Sequence, residues 1–528
     1  MRKKFLAKAL TAFLGVGIFT ATVPNFYEVG EAMTLPYEEP VYDLNFSAAI
    51  GTEKTLTVDG REIKFVAYEN IVYVSKPVSV ESQCLSIYIP AEYFSGGTIN
   101  GYTAKTAPIF MPNGVGGYMP GEIQAPAEKD RFTGKPNASL VALSRGLVVV
   151  SPAIRGRTTV SDGVYVGKAP ALIVDYKAAV RYLRHNRDKL PAGDTEKIIS
   201  NGTSAGGALS AALGSTGNAY EFEPYLREIG AAEERDDIFA SSDYCPITNL
   251  ENADCAYEWI FYGENKYFPA MWQLQDLKAR GRLKNTDIEI GDTFDASNAN
   301  NPVEVKQAVD MTRDEIKISK KLRDAFPAYV NSLKLRDEYG KILTLDKKGN
   351  GTFKSYIKRK YVESAQAALE RGVDLSGFDW LIFENGRVVD VDLSKYPAAA
   401  TRMKAAPAFD KLDLSSAEND EFATAENSPR HFNAVVQKTA KGDMADAEQI
   451  KIMNPLNFIG RSDVAVARHF RIRHGAADRD TSLAIPAILA LKLQNSGVDV
   501  DFFSPWGIGH AGDYDLPELF GWIDSICK

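Results

Sequence analysis

Histidine and cysteine are scarce in this chain of 528 residues, which has five of the first and four of the second. Cys84, Cys245, Cys255 and Cys527 are scattered, with no short ligand spacing, so a zinc scaffold is not expected. Positive charge is not in excess either. The 61 Lys and Arg residues against 69 Asp and Glu give a formal charge of −8, which leaves nothing to neutralise a phosphate backbone and argues against a nucleic-acid partner. There is no internal repeat and no blade-like period, which argues against a propeller-bearing peptidase. Beyond the N-terminus no segment approaches 18 consecutive apolar residues, so the mature chain should have no membrane span. What remains is ordinary globular composition, 45% hydrophobic and 25% charged, which excludes a disordered or fibrous protein. The length allows about two to four domains, or one enlarged domain with a large insertion.

Arg2, Lys3 and Lys4 precede an apolar stretch from Phe5 to Pro24 that is interrupted by Lys8 and small residues. That order is the pattern of a secretory signal peptide, with Gly30 and Ala32 as small residues before a cut after Ala32. A membrane anchor is the competing reading. Lys8, Gly15, Gly17 and the threonines make the stretch weakly apolar and short for a span of ~20 residues. The segment 1–32 carries net +2, so its removal would leave an exported, soluble chain of charge −10. The destination is extracellular or the cell envelope, with a monomer as the default state. Export permits a disulfide, although four widely spread cysteines read first as buried free thiols.

Short apolar runs at 108–111 and 146–151 suit strands buried on both faces, and 169–185 places apolar residues at helical spacing between two such strands. A strand at 197–200 leads through a glycine-rich turn into an alanine-rich helix at 206–213. The alternation returns near the C-terminus as strand 471–474, helix 482–494, strand 498–503 and helix 516–526. Strands alternating with helices imply an α/β fold with a mostly parallel sheet. Between the two blocks the texture changes to charged helical stretches, such as 312–335 and 355–370, and loops. The expected organisation is a signal segment 1–32, a core of 33–245 and 456–528, and a large inserted lid of 246–455.

Gly202-Thr203-Ser204-Ala205-Gly206 matches G-x-S-x-G, a pattern expected by chance roughly 0.2 times in a chain of this length. Its position between a strand and a helix makes it a nucleophile elbow, with Ser204 as nucleophile and the helix N-terminus behind it offering positive potential to an oxyanion. A serine needs a base oriented by a carboxylate. Of the five histidines, His510 follows the last strand in the glycine-flanked loop Ile508-Gly509-His510-Ala511-Gly512, where an α/β hydrolase carries its base; His185, His431, His469 and His474 read as structural or surface groups. The turn after the preceding strand offers Asp478 and Asp480. Asp478 is assigned to His510, and Asp480 either caps the helix near Ser482 or points with Asp478 towards the pocket. The order Ser204, Asp478, His510 is that of the α/β hydrolases. The amide of Ala205 is one expected oxyanion donor, and the second should come from the loop of 113–117.

Gly202 to Gly207, Met111-Pro112-Asn113 through Gly121, Tyr244-Cys245-Pro246-Ile247, Ala256-Tyr257-Glu258-Trp259 and Arg473 through Thr481 resemble the bacterial tannases (tannin acylhydrolases, subtype B) over nearly all of the mature chain. The resemblance implies a serine esterase of α/β-hydrolase fold with a large lid, acting on galloyl esters without metal or organic cofactor. It carries the triad onto Ser204, Asp478 and His510 and the oxyanion donors onto Ala205 and Gly117. It also implies that Lys404 and Glu418 of the lid, with Asp480, hold the three galloyl hydroxyls, and that Ile247 forms one wall for the ring. Without it, Lys404 and Glu418 would read as solvated surface charges. Ala417 stands before Glu418 where relatives can carry proline, which changes the opposite wall. Ala477 and Gly509 stand where fungal tannases carry a cysteine pair, so no such bridge is expected. A feruloyl or other phenolic-acid esterase on the same scaffold, and a non-catalytic polyphenol-binding protein, are the competing functions.

Overall fold

The computed structural model describes residues 41–130, 133–270, 273, 277–278, 280–282 and 308–528. The signal segment 1–32 and its cleavage position lie outside the described residues. A nine-stranded sheet organises the rest: β1 (Gly51–Val58), β2 (Arg61–Val72), β3 (Cys84–Pro90), β4 (Pro108–Pro112), β5 (Val148–Pro152), β6 (Asp194–Thr203), β7 (Ala240–Tyr244), β8 (His469–Arg473) and β9 (Asp499–Phe503). Their order across the sheet is β1-β2-β3-β5-β4-β6-β7-β8-β9. The first three pairings are antiparallel and the remaining five parallel. The expected α/β fold with a mostly parallel sheet is therefore present, with an antiparallel edge that the apolar runs do not announce.

That edge begins at a two-residue turn, Asp59-Gly60, in which both residues have positive φ (47° and 76°). Such a turn matches the twist of the flanking strands. β1 is exposed along most of its length, so it has no apolar run to give it away. The other unannounced strand is β7. Its sequence, Ala-Ser-Ser-Asp-Tyr, is polar, yet all five residues are buried. Ser241 Oγ satisfies itself on Ser200 Oγ (3.0 Å) and on the Asp243 carboxylate (2.6 Å). Small side chains let β6 and β8 approach from either side, and hydrogen bonds among them replace apolar packing.

Crossover helices cover the sheet. α1 (Ala171–His185) is almost entirely buried, α2 (Ala205–Ser215) follows the Ser204 turn, α3 (Ala484–Asn495) links β8 to β9, and α4 (Leu516–Cys527) closes the chain. Phe520 of α4 meets Phe110 of β4 with ring centroids 5.3 Å apart. Among the described residues, the stretch between β7 and β8 adds no strand to this sheet. It carries the helices Leu250–Phe261, Arg313–Leu333 and Thr352–Glu370, the short helix Ala417–Glu421 and small separate hairpins. The Arg313–Leu333 helix starts on a capping box, with Thr312 Oγ1 accepting from Glu315 N and the Glu315 carboxylate accepting from Thr312 N. All four cysteines are free and buried. No helix among the described residues is long and apolar enough to cross a membrane.

Candidate active site

Ser204 sits between β6 and α2 with φ 61° and ψ −122°, the backbone position of a nucleophile elbow. A serine at positive φ is strained, by about 1–3 kcal/mol, and persists only where the surroundings hold it. Here they do. Ser204 N donates to the Tyr244 carbonyl of β7 (2.9 Å). A Cβ on Gly202 would stand 2.2 Å from the Gly206 carbonyl oxygen, and one on Gly206 would stand 2.6 Å from the Val115 carbonyl oxygen, so only glycine fits either position. Asn113 locks the same corner, its Nδ2 donating to the carbonyls of Asn201 (3.2 Å) and Gly206 (3.1 Å) and to Ser210 Oγ (3.1 Å). The loop after β4 is thus packed on the elbow. Ala205, the first helical residue, has an amide without an intrahelical partner. Gly117 is exposed, in a tight turn closed by Met119 N on the Gly116 carbonyl (3.0 Å).

His510 Nδ1 and Asp478 Oδ2 are 2.8 Å apart. Asp478 Oδ1 also accepts the amides of Asp480 (2.8 Å) and Thr481 (3.2 Å), so the carboxylate is aimed by its own turn. Asp478 is fully buried, which alone would raise its pKa; His510, His474 and these hydrogen bonds hold it down at about 2. Burial alone would push the His510 ring down, but the Asp478 carboxylate leads the opposing pulls and carries it well above 6.5. The ring's Nε2 lies 3.9 Å from Cys245 Sγ and 3.9 Å from Asp480 Oδ1. Ser204 Oγ has no hydrogen bond among the described residues. Its loop nevertheless touches that of the histidine, since a Cβ on Gly512 would stand 1.8 Å from Thr203 Oγ1. Such contacts are often long before substrate closes the site. Cys245 and His474, whose Nδ1 is 3.6 Å from Asp478 Oδ2, crowd the same dyad. Neither is marked by sequence spacing.

Lys404 and Asp480 come from separate stretches and pair beside the dyad, and Glu418, from a third stretch, is near enough for its charge to act on Lys404. Lys404 Nζ donates to Asp480 Oδ1 at 2.9 Å, and both side chains are about nine-tenths buried. Burial works against the Lys404 ammonium, and the Asp480 and Glu418 charges more than restore it, so its pKa is raised. Burial raises Glu418, with Lys404 pulling it back. Asp480 thus points into this cluster and does not cap the following helix through its side chain. Ile247 is buried two residues after Cys245.

The framework that gathers these charges consists of buried polar residues without a place in the expected triad or galloyl trio. Tyr257 Oη accepts the amides of Met403 and Lys404 (3.3 Å each) and donates to the Arg479 carbonyl (2.9 Å), which ties the lysine's loop to the Asp-x-Asp turn. Arg402, paired with Glu258 in full burial, donates to the Lys404 carbonyl (2.5 Å). Asp254 accepts the amides of Phe409 and Asp410, and Asp410 accepts Asn419 Nδ2 (2.8 Å), next to Glu418. Asp254 is pushed up to about 7 by burial and by the neighbouring Asp410. His431, read as structural, donates from Nδ1 to Asp410 Oδ1 (2.6 Å) within this scaffold.

The BD-FAE family model, an α/β-hydrolase family, matches residues 127–275. A comparison with curated protein sequences gave no match. Among solved structures, the tannase of Fusobacterium nucleatum is 48% identical, with 92% of this chain and all of that one covered and a TM-score of 0.83. The tannin acyl hydrolase of Lactobacillus plantarum is 43% identical over 92% of this chain and 99% of its own, with a TM-score of 0.81. A tannin acyl hydrolase in complex with ethyl gallate matches with the same identity, coverage and TM-score. With the elbow, the Asp478–His510 pair and full-length likeness at this identity, the chain belongs to the bacterial tannases, carboxylic ester hydrolases of the α/β-hydrolase fold.

Proposed function

We propose that this protein is a secreted serine esterase that hydrolyses galloyl esters, and depsides of the same acid, through a galloyl-serine intermediate. The observation that carries this reading is the meeting of Lys404, Glu418 and Asp480 beside the Asp478–His510 pair. Three vicinal phenols are donors that need anionic acceptors, and two carboxylates with a lysine between them suit such a ring. The likeness to a tannin acyl hydrolase that binds ethyl gallate supports the same substrate class.

In this reading Ser204 Oγ attacks the ester carbonyl as its proton passes to His510 Nε2. The amides of Ala205 and Gly117 hold the oxyanion, Asp478 stabilises the imidazolium, and the alcohol leaves with the proton from Nε2. Water then gives a proton to Nε2 and attacks the galloyl carbonyl, and Ser204 leaves with that proton while the acid departs. Glu418 and Asp480 accept from the ring hydroxyls, Lys404 donates to a phenolic oxygen, and Ile247 packs on the ring. The stretch 246–455 serves as a lid that brings Lys404 and Glu418 to a core that already holds the triad. No step calls for a metal or organic cofactor. Export rests on the N-terminal pattern alone.

Replacing Glu418 by alanine is expected to lower kcat/KM on methyl gallate roughly 10–100-fold more than on methyl benzoate, the value of a hydrogen bond to a charged group. Equal losses on the two esters would show that Glu418 does not read hydroxyls. The base must be neutral to take the serine proton. Because Asp478 favours the protonated ring, His510 keeps its proton to a higher pH than an ordinary histidine, and kcat/KM should fall as pH drops through a midpoint above 6.5. A pH profile on methyl gallate checks this, and an acid limb below 6.5 would contradict it.

A further inference from the structure

We propose that Arg157 is a positioning residue that holds the oxyanion turn in shape and ties it to the helix that presents Glu418. The inference rests on the function proposed above and deepens it.

The turn of residues 116–119 is unusual. Gly117 and Tyr118, its two central residues, both have positive φ, 53° and 58°. Glycine takes this conformation freely; tyrosine does not, and a bulky residue held there is strained. Nothing lies within 4 Å of a Cβ placed on Gly117, so packing does not fix that residue. Tyr118 is buried in the core, but the Gly117 peptide has no packing of its own, and a strained turn keeps one conformation only where its surroundings over-determine it.

Arg157 supplies the bonds. Its backbone amide donates to the Tyr118 carbonyl (2.8 Å) and its Nε donates to the Gly117 carbonyl (3.0 Å), so both peptides after the Gly117 amide are tied to one residue. Its Nη1 donates to Asp420 Oδ2 at 2.5 Å. Asp420 belongs to the helix Ala417–Glu421, two residues from Glu418, and its other oxygen accepts Lys168 Nζ (2.6 Å), which also reaches Asn427 Oδ1 (2.7 Å). Burial first, and then the Glu418 and Glu421 charges, push the pKa of the Tyr118 phenol well above its ordinary value. Glu421, fully buried, has neither carboxylate oxygen hydrogen-bonded, so it contributes no bond that could replace the arginine.

The planar guanidinium fork spans two partners at a fixed spacing, and a lysine ammonium on a flexible stem does not. Arg157 thus holds the Gly117 peptide and Asp420 at one spacing, and with them the Gly117 amide where the oxyanion forms, whichever ester is bound.

The test is steady-state kinetics of Arg157→Ala and Arg157→Lys on methyl gallate and methyl benzoate. Removing an oxyanion donor outright costs about 10²–10³ in kcat, so loosening one should cost roughly 10–100-fold in kcat on both esters. KM should stay within about threefold, and Arg157→Lys should recover little of the loss. A purely structural role would lower the amount of folded enzyme and leave the kcat of titrated active sites unchanged. A fall confined to gallate, matching Glu418→Ala, would also overturn the proposal, because Arg157 would then serve only the helix. Fluorophosphonate titration of Ser204 keeps the two readings apart. Normal Ser204 labelling with unchanged kcat in Arg157→Ala rejects the Arg157 proposal alone, whereas a Ser204→Ala enzyme that still turns over rejects the serine mechanism.

Discussion

Ser204→Ala is expected to lower methyl gallate turnover roughly 10⁴–10⁶-fold while leaving the protein folded and able to bind the ester. The size follows from what is lost. Without Oγ no covalent acyl-enzyme forms, and only the oxyanion amides and the binding of the ring remain to favour attack by water. Stability should not suffer, because Ser204 Oγ has no hydrogen bond among the described residues and its strained φ is held by neighbouring backbone. Alanine at the same φ keeps that strain without adding to it. Turnover and thermal unfolding of the purified variant check both statements. An active Ser204→Ala enzyme would remove the nucleophile from the account.

The second large effect is expected from Asp478→Asn, about 10⁴-fold in kcat. Asp478 does two things for His510. Its Oδ2 accepts from Nδ1, which in the proposed mechanism keeps Nε2 free for the serine proton, and its charge favours the protonated ring. An asparagine can offer its Nδ2 to the ring instead, which fixes the wrong tautomer. The sign of the accompanying pH effect is also set. Loss of the carboxylate removes the main pull that raises the ring, so the acid limb of the residual activity should move to lower pH. A loss of less than tenfold, or an acid limb that does not move, would mean that another group orients His510. Asp480, 3.9 Å from Nε2, is the alternative carboxylate, and Asp480→Asn measured in parallel separates the two.

The parts of this architecture that sequence could reveal are those where one local pattern has one structural outcome. Continuous apolar runs announce β4 and β5, the alternation of Val498, Val500 and Phe502 with aspartates announces β9, and G-x-S-x-G with a strand before it and small residues after it announces the elbow. With five histidines, position relative to the last strand leaves His510, and its partner Asp478 follows from the preceding turn. The structure brings that pair to 2.8 Å. β7 was not legible, because its burial is satisfied by serine and aspartate hydrogen bonds and not by apolar side chains. The half-exposed β1 and β2 carry no continuous apolar run, although Asp59-Gly60 is a readable hairpin signal, whereas β3 is buried throughout and its Leu85-Ser86-Ile87-Tyr88-Ile89 is legible as a strand although it stands outside the expected elements.

Lys404 and Glu418 show the limit most plainly. On helical or extended texture alone each is a surface charge. In the fold, a chain of buried polar contacts through Tyr257, Glu258, Arg402, Asp254, Asp410 and Asn419, spread over more than 160 positions, fixes the segments that carry them. Burial of a polar side chain is a property of the fold and has no local pattern in sequence. Only the resemblance to a family singled those two residues out, and the structure supplies the physical reason they stand together. Arg157 was not flagged by either route, since its partners are a carbonyl in one loop and a carboxylate more than 250 residues away.

The most direct measurement of the central claim is a crystal structure of Ser204→Ala with methyl gallate bound. The account expects the three ring hydroxyls on Lys404, Glu418 and Asp480, the ester carbonyl oxygen within hydrogen-bond reach of the Ala205 and Gly117 amides, and His510 Nε2 facing the position of the missing Oγ. A ring bound elsewhere, or one in the site with its hydroxyls turned away from those three side chains, would contradict it.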